Sequence, residues 1–233
     1  MEKIVCALWA GNVGREAFNA RLHTELPGAL HRAGALQIRL NLRDAEVESG
    51  VTLIQRWQEP QQDAVLQFWL PSANAIFRAE IDRLIADHCD HFAAWLVAES
   101  TIIPNKAHPP NSGERTWGWS QASFINFRDD LAHSDAVEIW HSHHTRVAID
   151  TQSNFEYVQN LIVRPLTEGA PTYSAFVEEC FPISALTDPH AFFNAVGDHA
   201  KFEANLGAMM ESCGRFIQFG RIDIMPTSQY DLG

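Results

Sequence analysis

The sequence predicts an α+β fold built from two consecutive βαββαβ units. Apolar runs short enough for strands alternate with segments of helical periodicity. A proline-rich stretch divides the chain near its middle, and the order of elements before that stretch is repeated after it. With 233 residues, of which 46% are hydrophobic, the chain is long enough to form a substantial core.

The first half begins with the apolar run "KIVCALWA", which predicts a buried strand, followed by a helical segment that ends at Gly34. "ALQIRLNLR", with its alternating apolar residues, and "DAVLQFWLP" predict two further strands. A second helix is indicated by apolar residues at helical spacing, namely Ile76, Phe77, Ile81, Leu84 and Ile85. The run "HFAAWLVAESTII" predicts the last strand of this half, which therefore reads βαββαβ.

The stretch "PNKAHPPNSGERTWGW" separates the two halves, because its prolines exclude both a helix and a central strand. We therefore predict a first unit over residues 1–105, a linker over residues 106–116 and a second unit over residues 117–233. The first unit is expected to be the degenerate copy, because Glu25 stands where the second unit has a helix histidine.

The second half repeats the order. Strands are predicted at "SQASFINFR", "FEYVQNLIVRPL", "YSAFVEECF" and "FIQFGRIDIMP", with one helix over residues 131–147 and another beginning at Asp188. Asp188 followed by Pro189 is a favourable helix start, since the aspartate caps the first turn and proline needs no N–H partner there. The repetition indicates a duplicated ferredoxin-like unit. We expect the two sheets to pack face to face as a barrel within one chain.

Composition excludes several classes of partner. The net charge of −12 opposes binding to phosphate backbones and to anionic lipid surfaces. No apolar run approaches the roughly 20 residues that span a bilayer, and the N-terminus lacks a signal-peptide pattern. The four cysteines form no C-x-x-C pair. We therefore predict a cytoplasmic protein with reduced thiols that binds neither nucleic acid nor membrane.

The stretch "IWHSHHTR", residues 139–146, brings three histidines into two helical turns. Trp140 and His144 share the helix face that should point to the sheet, whereas His141 borders that face and His143 points elsewhere. His141 and His144 lack the H-E-x-x-H signature and a complete ligand set, so no metal site is predicted. Two interpretations remain: histidines that only pack at the edge of the core, or His144 as an acid–base residue.

The strands beneath this helix contribute polar side chains. Glu178 and Glu179 are consecutive in a strand, so they point to opposite faces and only one can face the helices. Asn160 lies in an apolar strand, either at a solvated edge or in a lined pocket.

These segments, "VEIWHSHH", "YVQN" and "YSAFVEECF", resemble the EthD-domain proteins of the dimeric α+β barrel superfamily over about residues 118–226. The matching positions are Trp140, His144, Tyr157, Asn160, Tyr173, Glu178 and Phe181. Where that family places Asp-Gly after the tyrosine of the third strand, this chain has Ser174 and Ala175, which leaves any role of that aspartate in doubt. The resemblance implies a cofactor-free protein, often dimeric, found near catabolic or polyketide pathways and in some members similar to dehydratases or decarboxylases.

The leading hypothesis is therefore a lyase or isomerase that acts on an aromatic or apolar small molecule without a cofactor. Its catalytic residues would be His144 and Glu178, with His144 hydrogen-bonded to Glu178, Tyr157 or Asn160. The residues predicted to bind substrate are Trp140, Tyr157, Asn160 and Tyr173. The alternatives are a non-catalytic protein that binds the same kind of ligand, and haem- or metal-dependent oxidation, for which no ligand set is visible. A homodimer is expected, because C2 pairing is the commonest oligomeric state.

Overall fold

The computed structural model describes residues 1–233 as eight strands with helices between them. The strands are β1 (Glu2–Trp9), β2 (Leu36–Leu42), β3 (Ala64–Leu70), β4 (His91–Ile103), β5 (Trp119–Ile125), β6 (Glu156–Pro165), β7 (Ala175–Phe181) and β8 (Asp223–Asp231). The α-helices are α1 (Arg15–Thr24), α2 (Leu26–Arg32), α3 (Ala75–Ala86), α4 (His133–Glu138), α5 (Thr145–Thr151), α6 (Pro189–Phe192) and α7 (His199–Gly214). A π-helical segment, Ile139–His144, joins α4 to α5, and two 3₁₀ helices cover Ala45–Leu53 and Ile183–Leu186. No helix is long and apolar enough to cross a membrane.

The eight strands are antiparallel and close into one barrel in the order β1-β3-β2-β8-β5-β7-β6-β4. Each half contributes four neighbouring strands, in the orders β4-β1-β3-β2 and β8-β5-β7-β6. The expected face-to-face packing of two sheets does not describe this arrangement. The halves join edge to edge through the pairs β2 with β8 and β4 with β6, because an unpaired edge leaves backbone N–H and C=O groups without partners.

Two elements of the second half differ from their predicted positions. The last strand begins at Asp223, not at Phe216, because Phe216 packs into the core under the helices instead of continuing a strand. The helix predicted from Asp188 is divided in two: Asp188 caps the short helix α6, and Asp198 caps α7. Both carboxylates accept a hydrogen bond from a backbone N–H in the first turn, so each aspartate starts its own helix.

The helices lie outside the barrel and cover two apolar cores. Helices α1 to α3 pack on the first half, where Phe18, Leu22 and Ile81 contribute to the core, and α4 to α7 pack on the second half. The barrel interior is filled by its own side chains, as is usual for eight strands. One end of that interior is aromatic, and the other end is polar and contains Arg39 and Glu178. Chemistry could therefore occur in the polar interior or beneath α4 to α7.

Candidate functional site

A cavity of about 220 Å³ lies between the sheet and the helices of the second half, and we refer to it as the helix-side cavity. Thirteen of its 19 lining residues are hydrophobic, so a ligand there would be held mainly by apolar contact. Its six polar lining residues are Gln55, Gln121, Ser123, His144, Gln152 and Glu179, and the hydroxyl of Tyr157 adds a polar group to the apolar wall.

The π-helical segment supplies the helix wall of this cavity. The backbone N–H of Thr145 donates to the carbonyl of Trp140, five residues earlier, and the Thr145 hydroxyl donates to the same oxygen at 3.0 Å. Trp140 and His144 are both buried against the sheet, whereas His141 and His143 are exposed. The predictions that His144 lines a cavity and that the other two histidines lie outside it are confirmed. Such wide turns occur often at functional sites.

The hydrogen-bond partner of His144 is not one of the three predicted residues. Its Nδ1 lies 3.0 Å from the hydroxyl of Ser212 on α7, because α7 packs directly against the segment that carries the histidine. Burial, with a smaller contribution from the charge of His143, lowers the pKa of His144 to about 4. With a hydroxyl and not a carboxylate as its partner, the imidazole has nothing to raise its pKa against burial and is neutral at pH 7.

Glu178, predicted as a catalytic residue, points away from His144 into the barrel. Its carboxylate accepts hydrogen bonds from Asn41 at 2.5 Å and from Gln67 and Gln229 at 2.9 Å each, and it pairs with Arg39 at 3.1 Å. Burial alone would raise the pKa of Glu178, but Arg39 and the amide donors outweigh it and lower the pKa to about 2. The carboxylate is ionised and held by partners from several strands.

Glu179 is the carboxyl group that faces the helix-side cavity, and the sequence did not single it out. Asn154 donates to one of its oxygens at 2.7 Å, and Gln121 lies 3.4 Å from the other. Burial raises the pKa of Glu179 to about 7, because no cation is close enough to stabilise its charge. The sequence feature that could have indicated it is the alternation of side chains along β7, which places one of the two glutamates on the face towards the helices.

The remaining predicted residues divide between the two faces of the sheet. Trp140 and Tyr157 line the helix-side cavity with His144, and the Tyr157 hydroxyl accepts a hydrogen bond from Gln159 at 2.7 Å. Asn160 is buried within the barrel, and neither polar atom of its side chain has a partner. Tyr173 is also interior and donates to Asp223 at 2.6 Å. The structure thus does not bring the six predicted residues into one site.

Two further side chains of the helix-side cavity are polar and unpaired. The Oε1 atom of Gln152 and the hydroxyl of Ser123 are buried and have no hydrogen-bond partner. A buried polar group without a partner costs roughly 1–3 kcal/mol. An acceptor and a hydroxyl are therefore available in the cavity for a ligand that carries polar groups.

A second cavity, of about 410 Å³, adjoins the first. Gln55, Gln121, Phe192 and Ile224 line both spaces. The adjoining space is also apolar, with Leu53 and Leu186 among its walls. Together the two spaces could accommodate a ligand larger than the helix-side cavity alone.

The largest cavity, about 540 Å³, lies at the polar end of the barrel. Its basic groups are paired with carboxylates: Arg39 lies 2.8 Å from Glu156, and Lys3 lies 2.6 Å from Glu99 beside it. No group of three or more His, Cys, Asp or Glu side chains is arranged to hold a metal ion.

These features define the chain as an α+β barrel closed within one polypeptide, with a helix-side cavity that holds a carboxyl group of raised pKa. No protein-family model matches the sequence, and no curated protein matches it. A solved structure described as an anthrone oxidase-like protein has a TM-score of 0.59 at 8% identity, covering 100% of this chain and 94% of its own. That protein shares its fold with this chain, and at this identity the likeness concerns the fold alone.

Two further structures cover all of this chain at lower similarity. A protein provisionally described as a monooxygenase from Lactobacillus acidophilus has a TM-score of 0.47 at 10% identity and is covered over 96% of its length. Another, provisionally described as a chlorite dismutase, has a TM-score of 0.49 at 13% identity and is covered over 97% of its length.

Proposed function

We propose that the protein is a lyase or isomerase that works without a cofactor and removes a proton from an aromatic or apolar small molecule in the helix-side cavity. The observation that carries this proposal is the Glu179 carboxyl group, which is buried in an apolar cavity with a pKa of about 7. A general base is most effective when its pKa lies near the working pH. In this proposal the general base is Glu179, and His144 does not have the acid–base role that the sequence predicted for it.

His144 serves as a hydrogen-bond donor in this proposal. Nδ1 of the imidazole lies 3.0 Å from the Ser212 hydroxyl, and the proposed role requires the tautomer in which this hydroxyl donates to Nδ1 and the proton of the neutral ring is on Nε2. An Nε2–H group can stabilise negative charge that develops on a substrate oxygen when the proton is removed. Because its pKa is about 4, His144 keeps this donor role through the neutral range without carrying a charge.

The remaining cavity residues would orient the substrate. Trp140 and Tyr157 supply flat walls, whereas Ser123 and Gln152 offer a hydroxyl and a carbonyl oxygen without partners. A substrate with a flat apolar body and one or two oxygen or nitrogen substituents fits this combination.

The test uses an aromatic ketone, 1-tetralone, as a probe of proton abstraction. In D₂O the wild-type protein should accelerate exchange of the protons next to the carbonyl, as followed by NMR, and Glu179→Gln should abolish this acceleration without loss of probe binding. Glu138→Gln, at an exposed position on α4, is the matched control. If the wild type and Glu179→Gln bind the probe equally and the wild type does not accelerate exchange, the second hypothesis, a non-catalytic binding protein, is supported.

Oxidation of an aromatic molecule is a further candidate, favoured by the description of the structural neighbour as anthrone oxidase-like. Oxygen consumption with an electron-rich phenol as probe separates it from proton abstraction alone. If oxygen consumption proceeds at the same rate in Glu179→Gln, the carboxyl group is not the base of that reaction.

We further propose that the chain is an EthD-like protein and that its halves, residues 1–105 and 117–233, arose by duplication of a ferredoxin-like unit. The matching element order of the two halves supports this proposal, as do the EthD-like positions Trp140, His144 and Tyr157 at one cavity. Homodimer formation and a cytoplasmic location remain part of the proposal.

A further inference from the structure

The polar end of the barrel interior contains the cavity of about 540 Å³, which we refer to as the polar-end cavity. Its volume lies within the usual range of small-molecule sites. Carboxylates from β4, β6 and β8 and amides from β2 and β8 line it, together with Trp69, Val158 and prolines of the segment between β4 and β5. The sheet separates this cavity from the apolar helix-side cavity, so a ligand of different chemistry fits here.

Carboxylates outnumber basic groups at this end of the barrel. The basic groups are Arg39, which lines the cavity, and Lys3, which pairs with one of the lining carboxylates. The carboxylates are Glu99, Glu156 and Asp231 in the cavity wall and Glu178 beside Arg39. Four carboxylates against two basic groups leave two in excess, which favours a cationic ligand. They are not arranged to hold a metal ion, so an organic cation is the better complement.

The contacts of Lys3 show how this end of the barrel holds a positive charge. Its ammonium group lies 2.6 Å from Glu99 and 4.7 Å from the centre of the Trp69 ring, and both partners attract cations. Asp231 is differently placed: its side chain is 45% exposed, and Nη2 of Arg39 lies 3.7 Å from its carboxylate, beyond hydrogen-bond distance. Asp231 can therefore accept a hydrogen bond from an ammonium group that enters from solvent.

Asn160 supplies a second, neutral group at the inner side of the cavity. It is fully buried, and neither its Nδ2 nor its Oδ1 has a hydrogen-bond partner. Strand alternation places its side chain on the same face of β6 as Val158, and Glu99 stands opposite it in the pair of β4 with β6. Both of these neighbours line the cavity. An unpaired donor and an unpaired acceptor at one position suit hydroxyl groups, because a hydroxyl both accepts and donates.

We propose that the polar-end cavity binds a small polyhydroxylated amine. The ammonium group bonds to Asp231 at the exposed side, and hydroxyl groups bond to Asn160 at the buried side. This site is independent of the proton abstraction proposed above, because the sheet lies between the two cavities. Failure of either proposal therefore leaves the other unaffected.

The test compares three compounds that each carry a six-membered ring. Glucosamine at pH 6.5 has a protonated amine and hydroxyl groups, glucose has only the hydroxyl groups, and cyclohexylamine has only the amine. Their affinities for the intact protein are measured by NMR titration of ¹⁵N-labelled protein. Glucosamine should bind most tightly, and it should shift the side-chain amide signal of Asn160, which is identified by its absence from Asn160→Leu.

Two variants separate the two contacts. Asp231→Asn should weaken glucosamine binding at least about fivefold and leave glucose binding unchanged, because only the attraction between charges is lost. Asn160→Leu should weaken glucosamine and glucose about tenfold each and leave cyclohexylamine unchanged. This change removes no hydrogen bond within the protein, so the urea midpoint should equal or exceed that of the wild type.

Glu16→Gln is the matched control, because it removes one negative charge at an exposed position on α1. Its affinity for glucosamine should equal that of the wild type. Absence of glucosamine binding to the wild type would overturn the proposal. Equal affinities for glucosamine and cyclohexylamine, or unaltered glucosamine affinity in both Asp231→Asn and Asn160→Leu, would also overturn it.

Discussion

Glu178 and Glu179 have the same side chain and are adjacent in β7, yet their surroundings give them opposite properties. Glu178 meets Arg39 and three amide donors inside the barrel, which lower its pKa to about 2, whereas Glu179 meets mainly apolar groups, and burial raises its pKa to about 7. Strand alternation predicted that they face opposite sides. Which one faces the helices depends on how β7 sits in the closed barrel, and that is a property of long-range pairing that the local sequence does not contain.

Glu179→Gln should make the protein more stable at high pH. The folded-state pKa of about 7 lies above the ordinary value, so the protonated group favours the folded state below about pH 4 and this contribution is lost as pH rises through 7. The wild type should lose about 3 kcal/mol between pH 4.5 and 8 from this group, and the amide variant should not. Urea denaturation at pH 4.5 and pH 8 measures the difference. A variant with the same pH dependence as the wild type would contradict the raised pKa.

Glu178→Gln should instead destabilise the fold at pH 7. The change removes one carboxylate that pairs with Arg39 inside the barrel. Breaking a buried ion pair in this way lowers the free energy of unfolding by roughly 3–5 kcal/mol. The remaining pair of Arg39 with Glu156 places the expected loss near the lower limit. Urea midpoints at pH 7 give the comparison with Glu179→Gln, and equal stability of the two variants would be inconsistent with the different surroundings of the two glutamates.

At the scale of elements, β4 has the same first and last residues as the apolar run that predicted it. Its local apolar pattern and its pairing with neighbouring strands favour the same structure. The apolar stripe predicted for α3 is only partly correct: Ile81 and Ile85 are buried, whereas Ile76 and Phe77 are 82% and 65% exposed. In the first turns of this helix the buried residue is Arg78. The π-helical segment could not be predicted, because one wide turn leaves the residue composition of a helix unchanged.

The side-chain bonds of Thr145 stabilise this wide turn, so Thr145→Val should weaken it. The hydroxyl donates to the Trp140 carbonyl at 3.0 Å and accepts from Gln159 at 2.9 Å. Loss of both bonds at nearly constant volume should cost about 1–3 kcal/mol and reduce probe binding in the helix-side cavity. Thr151→Val is the matched control, since that hydroxyl bonds the carbonyl four residues earlier in regular helix. Equal losses of probe binding in the two variants would show that the wide turn has no special role.

At the scale of the whole molecule, the predicted α+β barrel within one chain is confirmed, but the predicted face-to-face packing of two sheets is wrong, because the halves join through their edge strands. Local alternation identifies strands and their faces, whereas the pairing of β2 with β8 and of β4 with β6 joins residues far apart in sequence. For the same reason the sequence grouped Asn160 and Tyr173 with His144, although the sheet separates them.

Light scattering should give a mass about twice 26.2 kDa, if the expected homodimer forms. Within one chain the two halves already complete the barrel, so association would depend on helices and loops at the surface. The measurement should be repeated over a tenfold range of protein concentration to reveal dissociation. A mass near 26 kDa at all concentrations would contradict the dimer.

The closed ring of strands also restricts how copies of this chain can meet. Every strand has a hydrogen-bonded neighbour on each side along part of its length, but residues 98–103 of β4 extend beyond β1 and are paired only with β6. Elsewhere in the ring, addition or exchange of a strand between copies would require a strand pair to open first. Association of copies through strand edges is therefore restricted to residues 98–103 unless the barrel opens.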